Sequence, residues 1–216
     1  MKNPEISEDK IETLYHNKYL KLYGMHWDNG TFYLEASRRE KEDLTVLKTE
    51  EEYKSMVADA VTIALVIRTP GEEPRIYMEH EFRYPTGQFL LSPPAGLIDP
   101  ADKETGNPLI AAAKREIREE TGIEVKDSDT VYVVSDLFFS SPGMTDESNG
   151  IVCAVVDLPD LSCATDAFSE STECFDGYSL YTVSEAKELV KKCRDENGKF
   201  LSVFTWAILL FFITNF

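Results

Sequence analysis

KREIREETGI, residues 114–123, places Glu116, Glu119 and Glu120 at i, i+3 and i+4 of a helix. At about 100° per residue, Glu119 lies about 60° to one side of Glu116 and Glu120 about 40° to the other, so three carboxylates share one narrow arc. Such neighbours repel by roughly 0.2–0.5 kcal/mol per pair on an isolated helix. A sequence shaped by stability alone would intersperse lysines, so a compensating group outside the helix is expected. Asn107 before Pro108 reads as an N-cap with proline at the first helical position, and Gly122 after Thr121 as the terminator. The helix is therefore expected over 108–121. On its wheel Ile110, Ala113, Ile117 and Thr121 form an apolar sector beside the acidic arc, with Lys114, Arg115 and Arg118 assigned to the far side. Ala112 and Ala113 leave room above the strip. Clustered carboxylate oxygens facing a gap suit a hard divalent cation such as Mg²⁺ or Mn²⁺.

Working outward, PPAGLID (93–99) precedes the helix in a proline-, glycine- and aspartate-rich stretch (89–108) that reads as loop with a short strand at its front. VTIALVIR (61–68) and RIYMEHEFRYP (75–85) read as strands, as do TVYVVSDLFFS (130–140) and GIVCAVVDL (150–158) around the loop SPGMTDESN (141–149). Residues 1–56 are polar with interleaved aromatics, and DNG (28–30) marks a hairpin. A small N-terminal antiparallel β unit (1–56) followed by the main domain (57–216) is expected. The mixture implies an α/β (α+β) sandwich, a mixed sheet between helices. Ser184 is the expected cap of a late helix, and the apolar run 201–216 reads as a buried C-terminal helix. With sixteen residues and several polar ones, it falls short of the roughly 20 that cross a bilayer.

The chain has 216 residues, 43% hydrophobic and 28% charged, enough for a full core. Its 39 acidic against 22 basic residues give a net charge of −17, which repels nucleic-acid phosphates and anionic lipid. No nucleic acid or membrane is expected as partner. Four cysteines without a C-x-x-C pair or neighbouring histidines argue against a zinc site. The N-terminus lacks the basic start and apolar core of a secretory signal, so the default setting is cytoplasmic.

REIREETGI (115–123) resembles the core of the Nudix box, G-x5-E-x7-R-E-U-x-E-E-x-G-U with U aliphatic. Arg115, Glu116, Ile117, Glu119, Glu120, Gly122 and Ile123 match. PPAGLID resembles the segment that enters the box in the ADP-ribose pyrophosphatase branch, and SPGMTDES (141–148) resembles a loop found after it. Ser92 stands where many relatives carry a glutamate before the P-A-G, and two further departures fall within the box. Eighteen residues separate Gly96 from Arg115 where the pattern has 13, and Asn107 replaces the first glutamate, with Asp102 and Glu104 as conceivable substitutes from the lengthened loop. The resemblance implies a Mg²⁺- or Mn²⁺-dependent hydrolase that cleaves the pyrophosphate of a nucleoside diphosphate linked to another moiety, ADP-ribose to AMP and ribose 5-phosphate foremost. It implies Glu116, Glu119, Glu120 and the Ala95 carbonyl as metal ligands, Arg115 as the group orienting Glu119, and Glu173, with Glu170 in reserve, as the base. Implied substrate contacts are Arg39, Arg83, Tyr19, Tyr33, Gly143, Met144 and Glu147, in a homodimer to which the N-terminal unit contributes. The departures keep open a catalytically weakened nucleotide-binding module of the same fold, and a pyrophosphatase for another nucleotide sugar.

Overall fold

The computed structural model describes residues 4–164 and 174–216. Two compact units emerge, one comprising the chain up to Asp59 together with Leu137–Asn149, the other Ala60–Asp136 with Gly150–Phe216.

In the first unit, β1 (Ile11–His16), β2 (Lys21–His26) and β3 (Phe32–Ser37) form an antiparallel sheet in that order. The 28–30 hairpin forms as read: Gly30 takes φ 83°, a left-handed conformation that glycine enters without steric cost, and its N–H donates to the Trp27 carbonyl. Ile11, Tyr23 and Met25 pack with Leu44 into a small core, which Trp27, Val46 and Leu47 extend. Helix α1 (Glu50–Lys54) starts at a capping box in which Thr49 and Glu52 satisfy one another's backbone donors.

In the second unit the sheet has seven strands among the described residues. Its main path runs β10 (Phe175–Tyr181), β5 (Arg75–Arg83), β4 (Ala60–Arg68), β9 (Ser148–Asp157), β8 (Thr130–Phe139), with β6 (Gln88–Ser92) on β5 and β7 (Ala95–Leu97) on β4. Strand β4 is buried at consecutive positions from Val61 to Ile67, the signature of a strand covered on both faces. Ala64 and Val66 share a core with Ile76, Met78 and Leu91, closed by Ala186 and Leu189 of α4 (Val183–Lys192) and by Ile208, Leu209 and Phe212 of α5 (Val203–Asn215). The architecture is a mixed α/β fold, an N-terminal antiparallel sheet plus a larger mixed sheet flanked by helices.

Three local expectations are revised. The cap of α4 is Thr182, whose hydroxyl accepts from the Glu185 N–H while Glu185 bonds back to the Thr182 N–H, so the box is complete two residues before Ser184. The 89–108 stretch is more regular than its composition suggests, holding β6, β7 and the short helix α2 (Pro100–Lys103). β7 exists because β4 offers it a ladder at Ala60, Val61 and Thr62, a partner no local reading supplies. Helix α5 is buried on one side only. Its buried Thr205 hydroxyl donates to the Leu91 carbonyl at 2.6 Å, while Val203, Trp206 and Leu210 are exposed. Among the described residues, no helix is long and apolar enough to cross a membrane.

Candidate active site

Helix α3 (Pro108–Thr121) carries the carboxylates and has the predicted limits: the Asn107 side chain accepts from the Ile110 N–H at 3.2 Å, and Gly122 ends the helix at φ 69°. Its buried face is Leu109, Ala112, Ala113, Glu116, Ile117, Glu120 and Thr121. Two acids thus belong to the inward face; Glu116 is 9% and Glu120 6% exposed, while Glu119 is half-buried at the edge. Leu109, absent from the predicted apolar sector, is buried, while Ile110 is half-buried.

Arg115 does not lie on the far side. Its Nη1 donates to Glu116 Oε1 at 2.7 Å and Glu119 Oε2 at 3.0 Å, and its Nη2 to the Leu97 carbonyl at 2.8 Å and Asp102 Oδ2 at 3.0 Å. The expected Arg115–Glu119 pair is present, within a larger fan. Burial works against the guanidinium's charge, and the carboxylates of Asp102, Glu116 and Glu119 more than offset it, so its pKa is raised. The repulsion implied by three adjacent acids is answered here by a cation of the helix's own, folded back over the strip.

Gly96 on β7 completes the local geometry. A Cβ there would fall 1.8 Å from Glu116 Oε1 and 2.1 Å from its carboxyl carbon, so only glycine lets the Glu116 carboxylate occupy its place against β7. Ala95, the residue implied as a backbone ligand, is the neighbouring β7 position, paired with Thr62. Hard, anionic oxygens from Glu116, Glu119 and Glu120 suit Mg²⁺ or Mn²⁺ in kind. Among the described residues, however, no three acidic, histidine or cysteine side chains stand gathered as an ion-holding group, and Glu116 and Glu119 are turned onto Arg115. Of the conceivable substitutes for the missing glutamate, Asp102 is buried and bonded to Arg115 and to the Asp99 N–H at 2.9 Å, whereas Glu104 is exposed. Arg83, at the end of β5, is paired with Glu81 at 2.5 Å. Glu173 and Glu170 lie outside the described residues.

The first unit gathers most of the remaining candidates. Strand β3 clasps the 141–147 loop: the Tyr33 hydroxyl donates to the Gly143 carbonyl at 2.7 Å, the Ala36 N–H to the Met144 carbonyl at 2.9 Å, the Ser37 hydroxyl to Asp146 Oδ1 at 2.7 Å, and Arg38 Nε to Glu147 Oε1 at 2.9 Å. Arg39, its side chain 12% exposed, is bound to Asp59 at 2.8 Å and to the Asp146 side chain at 3.2 Å, so its guanidinium is committed to holding this loop. The acid at the centre of the clasp is Asp146, 7% exposed, and not the neighbouring Glu147. Tyr19, on the β1–β2 turn, is 68% exposed and apart from this cluster.

Beside the clasp is a cavity of about 920 Å³, lined by Trp27, Tyr33, Tyr53, Phe139 and Met144 with Glu35 and Asp146 among the polar contributors. Its size and mixed aromatic and polar lining are those of a small-molecule site. The Glu35 carboxyl is pushed up to about 7 by burial and then by the charge and hydrogen bonding of Asp146, which Arg39 partly counters. Of the residues lining this cavity, the sequence reading named Tyr33 and Met144 as substrate contacts and did not name Glu35, Asp146, Trp27 or Tyr53. The available signal was Glu35 itself, an acid at an inward-facing position of a strand, in phase with Tyr33 and Ser37.

Residues 57–204 match the NUDIX domain model, which covers more than half of the chain. The chain belongs to the Nudix family. It is 37% identical over 102 residues to an uncharacterised Nudix hydrolase of Schizosaccharomyces pombe, covering 46% of this chain and 44% of that protein. It is 39% identical over 100 residues to putative Nudix hydrolase 2 of Caenorhabditis elegans, 46% and 41% of the two chains, and 28% identical over 127 residues to an ADP-ribose pyrophosphatase of Saccharomyces cerevisiae, 58% and 50%. The matched stretch thus spans less than half the length of the first two relatives. The crystal structure of an ADP compounds hydrolase superposes with a TM-score of 0.61 over 99% of this chain and 96% of that one, at 16% identity, a likeness of fold alone.

Proposed function

We propose that the chain hydrolyses the pyrophosphate of a nucleoside diphosphate linked to another moiety, with ADP-ribose, cleaved to AMP and ribose 5-phosphate, as the foremost substrate. The observation that carries this is the pair of inward-facing carboxylates, Glu116 and Glu120, on a box helix whose Gly96 neighbour leaves space for a carboxylate and nothing more. Burying two like charges on adjacent turns costs stability and is retained where the charges have work to do. Glu116, Glu119 and Glu120, with the Ala95 carbonyl, are the groups that would hold Mg²⁺ or Mn²⁺. The ion, when bound, supplies neutralisation of the pyrophosphate and a more acidic water. Arg115 orients Glu116 and Glu119, and Glu173 is the proposed base. The aromatic cavity of the first unit, with the Gly143–Glu147 loop held at its side, is by itself suited to a planar ring system. The name of the yeast relative, an ADP-ribose pyrophosphatase, supports this choice of substrate. A cytoplasmic homodimer completes the reading.

A second reading, a nucleotide-binding module with weakened catalysis, is favoured by one observation: Glu116 and Glu119 are both engaged by Arg115. Turnover separates the two. The chain is incubated with ADP-ribose and Mg²⁺ beside a Glu116→Gln, Glu120→Gln control, and AMP is followed. Product from the wild type and none from the control is expected; equal, background-level product from both would favour the binding module.

A further inference from the structure

The cavity of the first unit carries an imbalance of charge. Its more accessible side is aromatic: Tyr33 and Tyr53 are exposed, Trp27 and Phe139 half-buried, and the Tyr53 and Phe139 rings lie 6.3 Å apart, tilted by 38°. The Tyr33 phenol is fixed by its bond to the Gly143 carbonyl. The buried side is acidic, with Glu35 8% and Asp146 7% exposed and hydrogen-bonded to each other. Asp146 is well supplied with donors: the Ser37 hydroxyl at 2.7 Å, the Thr45 N–H at 3.1 Å and the Arg39 guanidinium at 3.2 Å. That guanidinium is shared with Asp59 at 2.8 Å, so one positive charge already serves two carboxylates and only partly counters the third, Glu35.

Such a lining discriminates among ligands. An anion meets a single base among the described lining residues, Lys48, against Glu5, Glu35 and Asp146. A neutral ring gains the aromatic faces but leaves Glu35 desolvated behind it without a counter-charge. A flat organic cation satisfies both sides, because aromatic faces attract a positive ring and the carboxylate neutralises it. We propose that this cavity is a binding site for a small organic cation with a flat ring, seated among Trp27, Tyr33, Tyr53 and Phe139 with its charge toward Glu35. The site is complete within the first unit and does not rest on the hydrolase reading. Glu35 also makes binding depend on pH. The groups facing it are Asp146, Arg39 and, across the sheet on β2, Tyr23, with Glu5 and Lys48 elsewhere on the lining. The Glu35 carboxyl is pushed up to about 7, so below that value an arriving cation has to displace a proton. Affinity therefore climbs as pH rises through about 7 and levels off above it, where the carboxylate is already ionised.

The test is isothermal titration calorimetry of the whole chain with N-methylquinolinium, its uncharged relative quinoline, quinoline carboxylate and adenosine. N-methylquinolinium is permanently charged, so any pH dependence of its binding belongs to the protein. At about pH 8 it is expected to bind roughly 10-fold more tightly than quinoline, and the carboxylate and adenosine more weakly than either. At about pH 6 its affinity should be roughly 10-fold below that at about pH 8, because only about a tenth of Glu35 is ionised there. Glu35→Gln should lower N-methylquinolinium to the affinity of quinoline and abolish the pH dependence, leaving quinoline itself unchanged. Tyr53→Leu, on the exposed helix α1, should weaken the cation about 3-fold by removing one π face, and it keeps the test decisive if the glutamine variant does not fold. Equal affinity for quinoline and N-methylquinolinium overturns the proposal, as does tighter binding of adenosine or of the carboxylate, or no binding of the cation at millimolar concentration. A pH dependence that survives Glu35→Gln also overturns it. AMP release from ADP-ribose is a separate measurement, so the hydrolase reading and this one fail independently.

Discussion

Replacing Glu35 by glutamine should remove a pH dependence of stability from the first unit. Glu35 is 8% exposed, lines the aromatic cavity and faces Asp146, with the Arg39 guanidinium as the nearby counter-charge. Its pKa is raised from 4.5 to about 7 in the folded protein, so the folded state holds this proton more tightly than the unfolded chain. Below about pH 4.5 both states are protonated and the contribution is fully present. Between about pH 4.5 and 7 the unfolded chain ionises first, and stability is lost as pH rises through the folded value. At about 1.4 kcal/mol per unit, the ceiling on that loss is about 3 kcal/mol. Glutamine keeps the shape and a donor for Asp146 but cannot ionise, so it holds the low-pH behaviour throughout. Urea unfolding followed by Trp27 fluorescence, in a Trp206→Phe background so that Trp27 alone reports, measures the difference. The wild type should lose stability relative to the glutamine variant across pH 5–8, by between about 1 and 3 kcal/mol. A difference constant to within about 0.5 kcal/mol over that range would refute the claim that the carboxyl is buried against Asp146.

Two further substitutions probe the box. Gly96→Ala would set a Cβ 1.8 Å from Glu116 Oε1; the obstructing atom is the end of a flexible side chain, so the fold yields cheaply while the carboxylate is displaced from Arg115. Thermal unfolding should shift little and ADP-ribose turnover should fall roughly 100-fold, the cost of an ångström-scale misplacement; unchanged turnover would remove Glu116 from the site. Asn107→Ala deletes the cap on Ile110 N–H and should cost about 1 kcal/mol in chemical denaturation. Turnover should be nearly unchanged, since the Asn107 side chain is spent on capping the helix.

The sequence and the tertiary structure divide along the range of the interactions involved. Where α3 starts and stops was legible because Asn107, Pro108 and Gly122 act on backbone groups within a turn of themselves. The shared arc of Glu116, Glu119 and Glu120 was legible for the same reason, helical periodicity being a local property, but the compensating group was expected outside the helix and the structure supplies Arg115 from the helix itself. Which cation compensates was not legible: Arg115 reaches across its own helix only because β7 offers the Leu97 carbonyl and α2 offers Asp102, segments whose composition reads as loop.

The aromatic cavity lies further still from local reading. Ser37 and Asp146 are 109 residues apart, and nothing in the alternation of β3 or in the SPGMTDES loop states that the two meet. A buried acid such as Glu35 gains its raised pKa from that meeting, because desolvation and a facing carboxylate are properties of a packed neighbourhood. The chain alone thus determined that acids would crowd one turn of one helix. Folding decided which partners hold them, by bringing distant oxygens and nitrogens within hydrogen-bonding range.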